Sequence, residues 1–123
     1  MKVTGFAPTI ASTNPEAAIE LFEALGFELA HVKDADQGGG LEFVTLKDAN
    51  GFRVNVVDGR ELPRDFTIMT INVDDFDEAY DLLMAHGFRK AKGFPDRGAT
   101  TSSKFGIFVS PTGYIVDLTQ HVK

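Results

Sequence analysis

Asp117 is the one charge in the run Tyr114–Thr119, YIVDLT, which is otherwise β-branched, aromatic and apolar. A carboxylate there could move a proton, ligate a metal or hold a cationic ligand. Buried and alone it would be costly unless paired or hydrogen-bonded. Asn55 holds the matching place in Arg53–Val57, RVNVV, 62 residues earlier. Its amide can donate and accept hydrogen bonds but is a weak neutral metal donor. Other chemistry is sparse. No serine stands in a G-x-S-x-G elbow, so a Ser-His-Asp hydrolase is unsupported. The absence of cysteine removes thiolate nucleophiles, thiolate metal sites and disulfides. His31, His86 and His121 are scattered and are expected to be surface or structural. Asp34–Gly40, DADQGGG, opens like a calcium loop, but its twelfth place is Thr45, where a bidentate Glu is required. A strand rather than a helix is expected next, so its glycines do not make a phosphate cradle.

The elements around these residues occur twice. Ala18, Leu21, Gly26 and Phe27 recur as Ala79, Leu82, Gly87 and Phe88 at an offset of 61. Phe43, Leu46, Val54 and Asn55 recur as Phe105, Phe108, Val116 and Asp117 at an offset of 62. Asn14-Pro15-Glu16 reads as N-cap, first helical position and acidic first turn. Ala17, Leu21 and Leu25, beside Ala18 and Phe22, have amphipathic helical spacing, and Gly26 stops it. Asp75-Phe76-Asp77-Glu78 opens a second helix that ends at His86-Gly87. Helices are expected near 15–25 and 75–86. Strands are expected at 3–11, 27–33, 41–47 and 52–57, then at 66–73, 88–92 and across 105–120. Asn50-Gly51 predicts a type I′ hairpin, and 58–65 reads as a linker. Each half is strand–helix–strand–strand–strand, so one domain of two modules, about 1–60 and 64–123, is expected.

Length and charge set bounds. A chain of 123 residues with 43% hydrophobic content can bury a real core. No apolar run reaches the roughly 18 residues of a membrane span, and the first residues lack a signal-peptide core. No membrane partner and a cytoplasmic location are expected. The net charge is −6, without a basic stripe. Nucleic acid is therefore not an expected partner, while the field favours a cationic or neutral small ligand.

The tandem βαβββ pattern carries NPEAAIELFEALGF (14–27), NGFRVNV (50–56), VDDFDEAYDLLMAHGF (73–88) and SPTGYIVDL (110–118). It resembles the vicinal oxygen chelate superfamily of glyoxalases, bleomycin-resistance proteins, fosfomycin-resistance enzymes and extradiol dioxygenases. The resemblance implies an α+β fold with mixed sheets curved into a cup. It also implies that catalytic members place His, Gln or Glu on the first strand of each module and Glu on the last. Counting from Ser12, Gly51, Val73 and Gly113 puts Phe6, Asn55, Ile68 and Asp117 at those places. A divalent metal needs about three or four converging ligands, and only Asp117 is an ordinary one. No metal and no cofactor are expected.

Alternation sends Ile115, Asp117 and Thr119 to the cup, with Tyr114, Val116 and Leu118 toward the helix. Arg53, Asn55 and Val57 should follow in the first half. Thr4, Phe6, Ile10, Phe66, Ile68, Thr70 and Asn72 should line the cup from the opening strands, with Phe43 and Phe105. Arg53 or Lys104 could neutralise Asp117 from neighbouring strands. The candidate ligand-binding residues are Phe6, Arg53, Asn55, Ile68, Thr70, Asn72, Lys104 and Asp117. An apolar, partly aromatic cavity with few polar anchors suits a small molecule. The expected function is metal-independent binding of a small cationic or aromatic molecule, as in bleomycin resistance. The alternative is a lyase, isomerase or dioxygenase-related enzyme with an atypical site. A homodimer is expected, because each module has one helix and one open sheet face.

Overall fold

The computed structural model describes residues 1–33, 43–91, 98–99 and 103–121. The DADQGGG loop lies outside them. The fold is α+β, and the chain forms two compact units, Ala7–Thr67 and Met1–Phe6 with Ile68–Lys123. The first six residues belong with the C-terminal unit, and Arg64–Thr67 belong with the N-terminal one, whereas the modules read from sequence are about 1–60 and 64–123. Lys2 N–H donates to Asp74 Oδ1 at 2.7 Å and its carbonyl accepts from Asp74 N–H, which ties the chain start to the second unit.

The N-terminal unit contains most of β1 (Val3–Ser12), then α1 (Pro15–Ala24), β2 (Glu28–Lys33), β3 (Phe43–Lys47) and β4 (Arg53–Asp58). Its sheet order is β2-β3-β4-β1, with β1 parallel to β4 and the other pairs antiparallel. Asn14 caps α1, its Oδ1 accepting from Ala17 N–H at 3.3 Å, and Pro15 sits in the first turn where it breaks no bond. Ala18, Ile19 and Phe22 pack on the buried residues Val44, Leu46, Val54 and Val56.

The C-terminal unit runs β5 (Phe66–Val73), α2 (Phe76–Ala85), β6 (Arg89–Lys90), β7 (Gly98–Ala99), β8 (Ser103–Val109) and β9 (Ile115–His121). Its order is β5-β9-β8-β6, with β5 parallel to β9 and the two-residue β7 paired to β8. Asp75 caps α2, accepting from Glu78 N–H at 3.1 Å. Val73, Phe76, Ala79, Phe108 and Leu118 form its core. Burying a side chain such as Phe76 or Phe108 contributes about 1.5–3 kcal/mol.

The hairpin turn differs from the expected type I′, which needs positive φ at both central residues. Of these two only Gly51 has it, at φ 89, and among the described residues no non-glycine residue does. Gly51 N–H bonds the Asp48 carbonyl, and Asp48 Oδ1 accepts from the N–H groups of Asn50 and Phe52. The second hairpin repeats this at an offset of 62. Gly113 N–H bonds the Ser110 carbonyl, and buried Ser110 Oγ accepts from the N–H groups of Thr112, Gly113 and Tyr114. A carboxylate in one copy and a hydroxyl in the other gather the same turn.

The stretch read as a linker is anchored inside the N-terminal unit. Asp65 accepts from Thr13 N–H at 2.9 Å, Thr13 Oγ1 at 2.8 Å and Ser12 Oγ at 2.8 Å. Gly59 N–H donates to the Ser12 carbonyl at 2.7 Å. Arg60 bridges Asp58 and Glu16, an exposed pair of contacts of small energetic value. Among the described residues no helix is long and apolar enough to cross a membrane.

Candidate ligand-binding site

In the C-terminal unit the register pairs Ile68 with Ile115, Thr70 with Asp117 and Asn72 with Thr119. On the other side of β9, Phe105 pairs with Thr119, Ile107 with Asp117 and Val109 with Ile115. Paired residues share a face, so these side chains form one surface. Val73, Phe108 and Leu118 turn the other way, onto α2. Asp117 is half-buried; its Oδ2 accepts from Thr70 Oγ1 at 3.1 Å and its Oδ1 from Thr119 Oγ1 at 3.0 Å. The carboxylate is thus held in one orientation by two hydroxyls from adjacent strands.

The N-terminal unit repeats the arrangement with the polarity reversed. Asn55 is 6% exposed, and its Nδ2 donates to Thr9 Oγ1 at 3.0 Å while its Oδ1 accepts from Thr45 Oγ1 at 2.8 Å. Thr9 and Thr70 are 61 residues apart, so the repeat already pointed to Thr9. Thr9 and Thr45 are the polar residues that the strand counting missed.

The remaining candidates fall as follows. Ile68 is buried at 3% and Asn72 half-buried, where a Cβ built on Gly5 would meet its amide nitrogen at 2.8 Å. Phe6 is 62% exposed, and the offset of 61 puts buried Ala7, not Phe6, in the place of Ile68. Ile10 pairs with Val56 and packs with the α1 core, away from the face of Asn55. Arg53 pairs with Lys47 on the face of Asn55 and is exposed. Lys104 pairs with Gln120, not with a neighbour of Asp117, so it stands on the opposite face of β8 and cannot neutralise that carboxylate. His121 ends β9, on the face of Asp117 by alternation. His31 pairs with Thr45 on the face of Asn55, and His86 Nδ1 donates to the Leu82 carbonyl at 2.8 Å.

These residues do not fit the metal that catalytic relatives of this fold imply. Phe6 and Ile68 offer carbon, Asn55 spends its carbonyl on Thr45, and Asp117 supplies a single carboxylate already bonded to two hydroxyls. Among the described residues no group of three His, Cys, Asp or Glu side chains could hold a metal ion.

Among the described residues, two mixed sheet arrangements, one of four strands and one of five with the two-residue β7, each backed by one helix, define a tandem βαβββ protein. The chain belongs to the Glyoxalase/Bleomycin resistance protein/Dioxygenase superfamily, whose family model matches residues 6–118. No curated protein matches the sequence. Among solved structures it is similar to a superfamily member from Vibrio splendidus 12B01, at 18% identity and TM-score 0.63 over 96% of this chain and 98% of that one. It is similar to methylmalonyl-CoA epimerase from Mycobacterium tuberculosis, at 19% identity and TM-score 0.69 over 98% and 90%. It is also similar to glyoxalase I from Zea mays, at 14% identity and TM-score 0.69 over 97% of this chain but 43% of that protein. Likeness at these identities establishes the fold alone.

Proposed function

We propose that this protein binds a small cationic or aromatic molecule without a metal, on the sheet face of the C-terminal unit that carries Asp117. The observation that carries the reading is the environment of that carboxylate. Thr70 and Thr119 fix it, and Ile68, Phe105 and Ile107 surround it with apolar surface on the same face. Few polar anchors within apolar walls are the usual make-up of a small-molecule site. A thermal-shift screen with small organic cations and neutral aromatics tests the reading. Asp117→Asn is nearly isosteric and keeps the fold, but it should weaken a cationic hit by about 2–5 kcal/mol. Equal affinity in both proteins, with a lower melting temperature in the variant, would assign Asp117 to architecture.

A second reading is an isomerase or lyase, favoured by the epimerase and the glyoxalase I among the similar structures. Acid–base chemistry on this face would then fall to Asp117 and His121, two strand repeats apart. Turnover of a screened compound that is lost in Asp117→Asn, with the fold intact, would select this reading over binding alone.

A further inference from the structure

We propose that Asn50-Gly51 is a site of spontaneous covalent modification. The Gly51 backbone nitrogen closes on the Asn50 side-chain amide and converts Asn50 to an aspartyl or isoaspartyl residue, at a rate that Asp48 sets. Ring closure of this kind needs an amide carbon, the backbone nitrogen of the next residue, and room for the two to meet. Glycine supplies the room, because it has no Cβ and leaves the backbone free to turn. A Cβ built on Gly51 meets nothing within 4 Å, and Asn50 and Gly51 are both exposed. The hydrogen bond from Asn50 to Asp48 uses the Asn50 backbone N–H and not its side-chain amide.

The other asparagines lack one of these conditions. Asn14 precedes Pro15, whose nitrogen carries no hydrogen to lose. Asn55 is 6% exposed, and its amide is bonded to Thr9 and Thr45. Asn72 is half-buried and precedes the β-branched Val73. Asp58-Gly59 has the same spacing with a carboxyl group, but the Ser12 carbonyl holds Gly59 N–H at 2.7 Å and Arg60 holds the Asp58 carboxylate. In the second hairpin, whose turn is gathered in the same way, Thr112 stands in the place of Asn50 and has no carbonyl carbon to attack.

The chemistry balances with water alone. Gly51 nitrogen loses its proton and bonds to Asn50 Cγ. The Cγ–Nδ2 bond breaks, and that nitrogen leaves as ammonia with the proton. One water then opens the succinimide. Attack on the former side-chain carbonyl leaves an aspartyl residue; attack on the backbone carbonyl leaves an isoaspartyl residue, whose main chain runs through Cγ. The folded turn opposes the first step. Gly51 N–H donates to the Asp48 carbonyl at 3.1 Å, and Asp48 Oδ1 accepts from Asn50 N–H at 3.0 Å and Phe52 N–H at 2.8 Å. Closure therefore waits for the turn to open, as exposed turns do at low free energy. Either product adds a negative charge close to Asp48, in a chain of net charge −6. The isoaspartyl form also lengthens the connection that sets β3 against β4, and with it the pairing of Thr45 with Asn55.

Peptide mapping of the full chain, after incubation at physiological temperature and neutral pH, tests this. The tryptic peptide 48–53, DANGFR, should gain the mass of exchanging NH for O. It should also split into two chromatographic forms, of which one is a substrate for enzymatic isoaspartyl methylation. Peptides carrying Asn14, Asn55 and Asn72 should stay unmodified meanwhile. The rate should rise with pH, because the attacking nitrogen must lose its proton. Asp48→Ala, checked for folding by circular dichroism, removes the side-chain bonds and should speed the change severalfold. Unfolding the wild type in guanidinium chloride should do the same without a substitution. Asn50→Gln, which would need a larger ring, should abolish it. An unmodified peptide 48–53, modification led by another asparagine, or equal rates in the native and unfolded wild type overturns the proposal.

Discussion

At Asn55 an amide donates to Thr9, whereas at Asp117 a carboxylate accepts from Thr70. Exchanging an amide for a carboxylate at one position of the repeat reverses which partner supplies the proton, and the threonine serves either role because a hydroxyl both donates and accepts. This difference gives the two units unequal chemistry on equal frames: the N-terminal network of Asn55, Thr9 and Thr45 is neutral, and the C-terminal one carries charge. Asp65 shows the same economy in a structural setting. The Thr13 N–H, then the Ser12 and Thr13 hydroxyls, hold its carboxyl below its ordinary value of 3.8. A depressed value means stability that is present above 3.8 and lost as pH falls through the lowered value. Asp65→Asn should therefore lower the melting temperature at pH 7, and the gap from wild type should close in acid. A gap that stays constant down to pH 2 would show that the carboxylate charge contributes nothing.

Caps and turns decide where each element begins and ends. Asn14 and Asp75 start the helices, and Gly26 and Gly87, at φ 105 and 84, stop them. The connection after β4 is the less obvious element. Its first glycine lies against β1, and a Cβ on Gly59 would stand 3.0 Å from the Ala11 carbonyl carbon and 3.1 Å from Ser12 nitrogen. Backbone atoms cannot swing aside as a side chain can. Gly59→Ala should cost about 1–3 kcal/mol as overpacking, measured by urea unfolding, and a neutral result would mean that the connection relaxes freely.

For the molecule as a whole, the question raised by its family is whether a metal is needed. The positions that the family resemblance implied as ligands, Phe6, Asn55, Ile68 and Asp117, supply one carboxylate, and its oxygens are engaged with Thr70 and Thr119. The protein dialysed against buffer, after passage over a chelating resin, should carry no stoichiometric zinc, nickel, iron or manganese by elemental analysis. One equivalent of any of them, retained and lost in Asp117→Asn, would overturn the metal-independent reading. The same preparation serves the ligand screen, so a metal-dependent shift in melting temperature would appear in parallel.

The repeat at offsets of 61 and 62 determined the two modules, and Asn14, Pro15, Gly26, Asp75 and Gly87 determined the helix ends, because caps and stops act through bonds within a few residues of chain. Alternation placed Ile68, Thr70 and Asn72 on one face, because a strand has a period of two wherever it is regular. It misplaced Ile10, and Lys104 was wrongly set beside Asp117, because the face each strand presents depends on register against a neighbour, and register is a property of pairs. The hydroxyl partners Thr9 and Thr45 became visible only when β1, β3 and β4 were laid side by side. The turn after β3 was misread as type I′ because Asn50-Gly51 permits that turn, while the Asp48 carboxylate, gathering two N–H groups, selects another. The bulge in β2 has no signature in ELAHVK; it exists only as a mismatch between two paired strands.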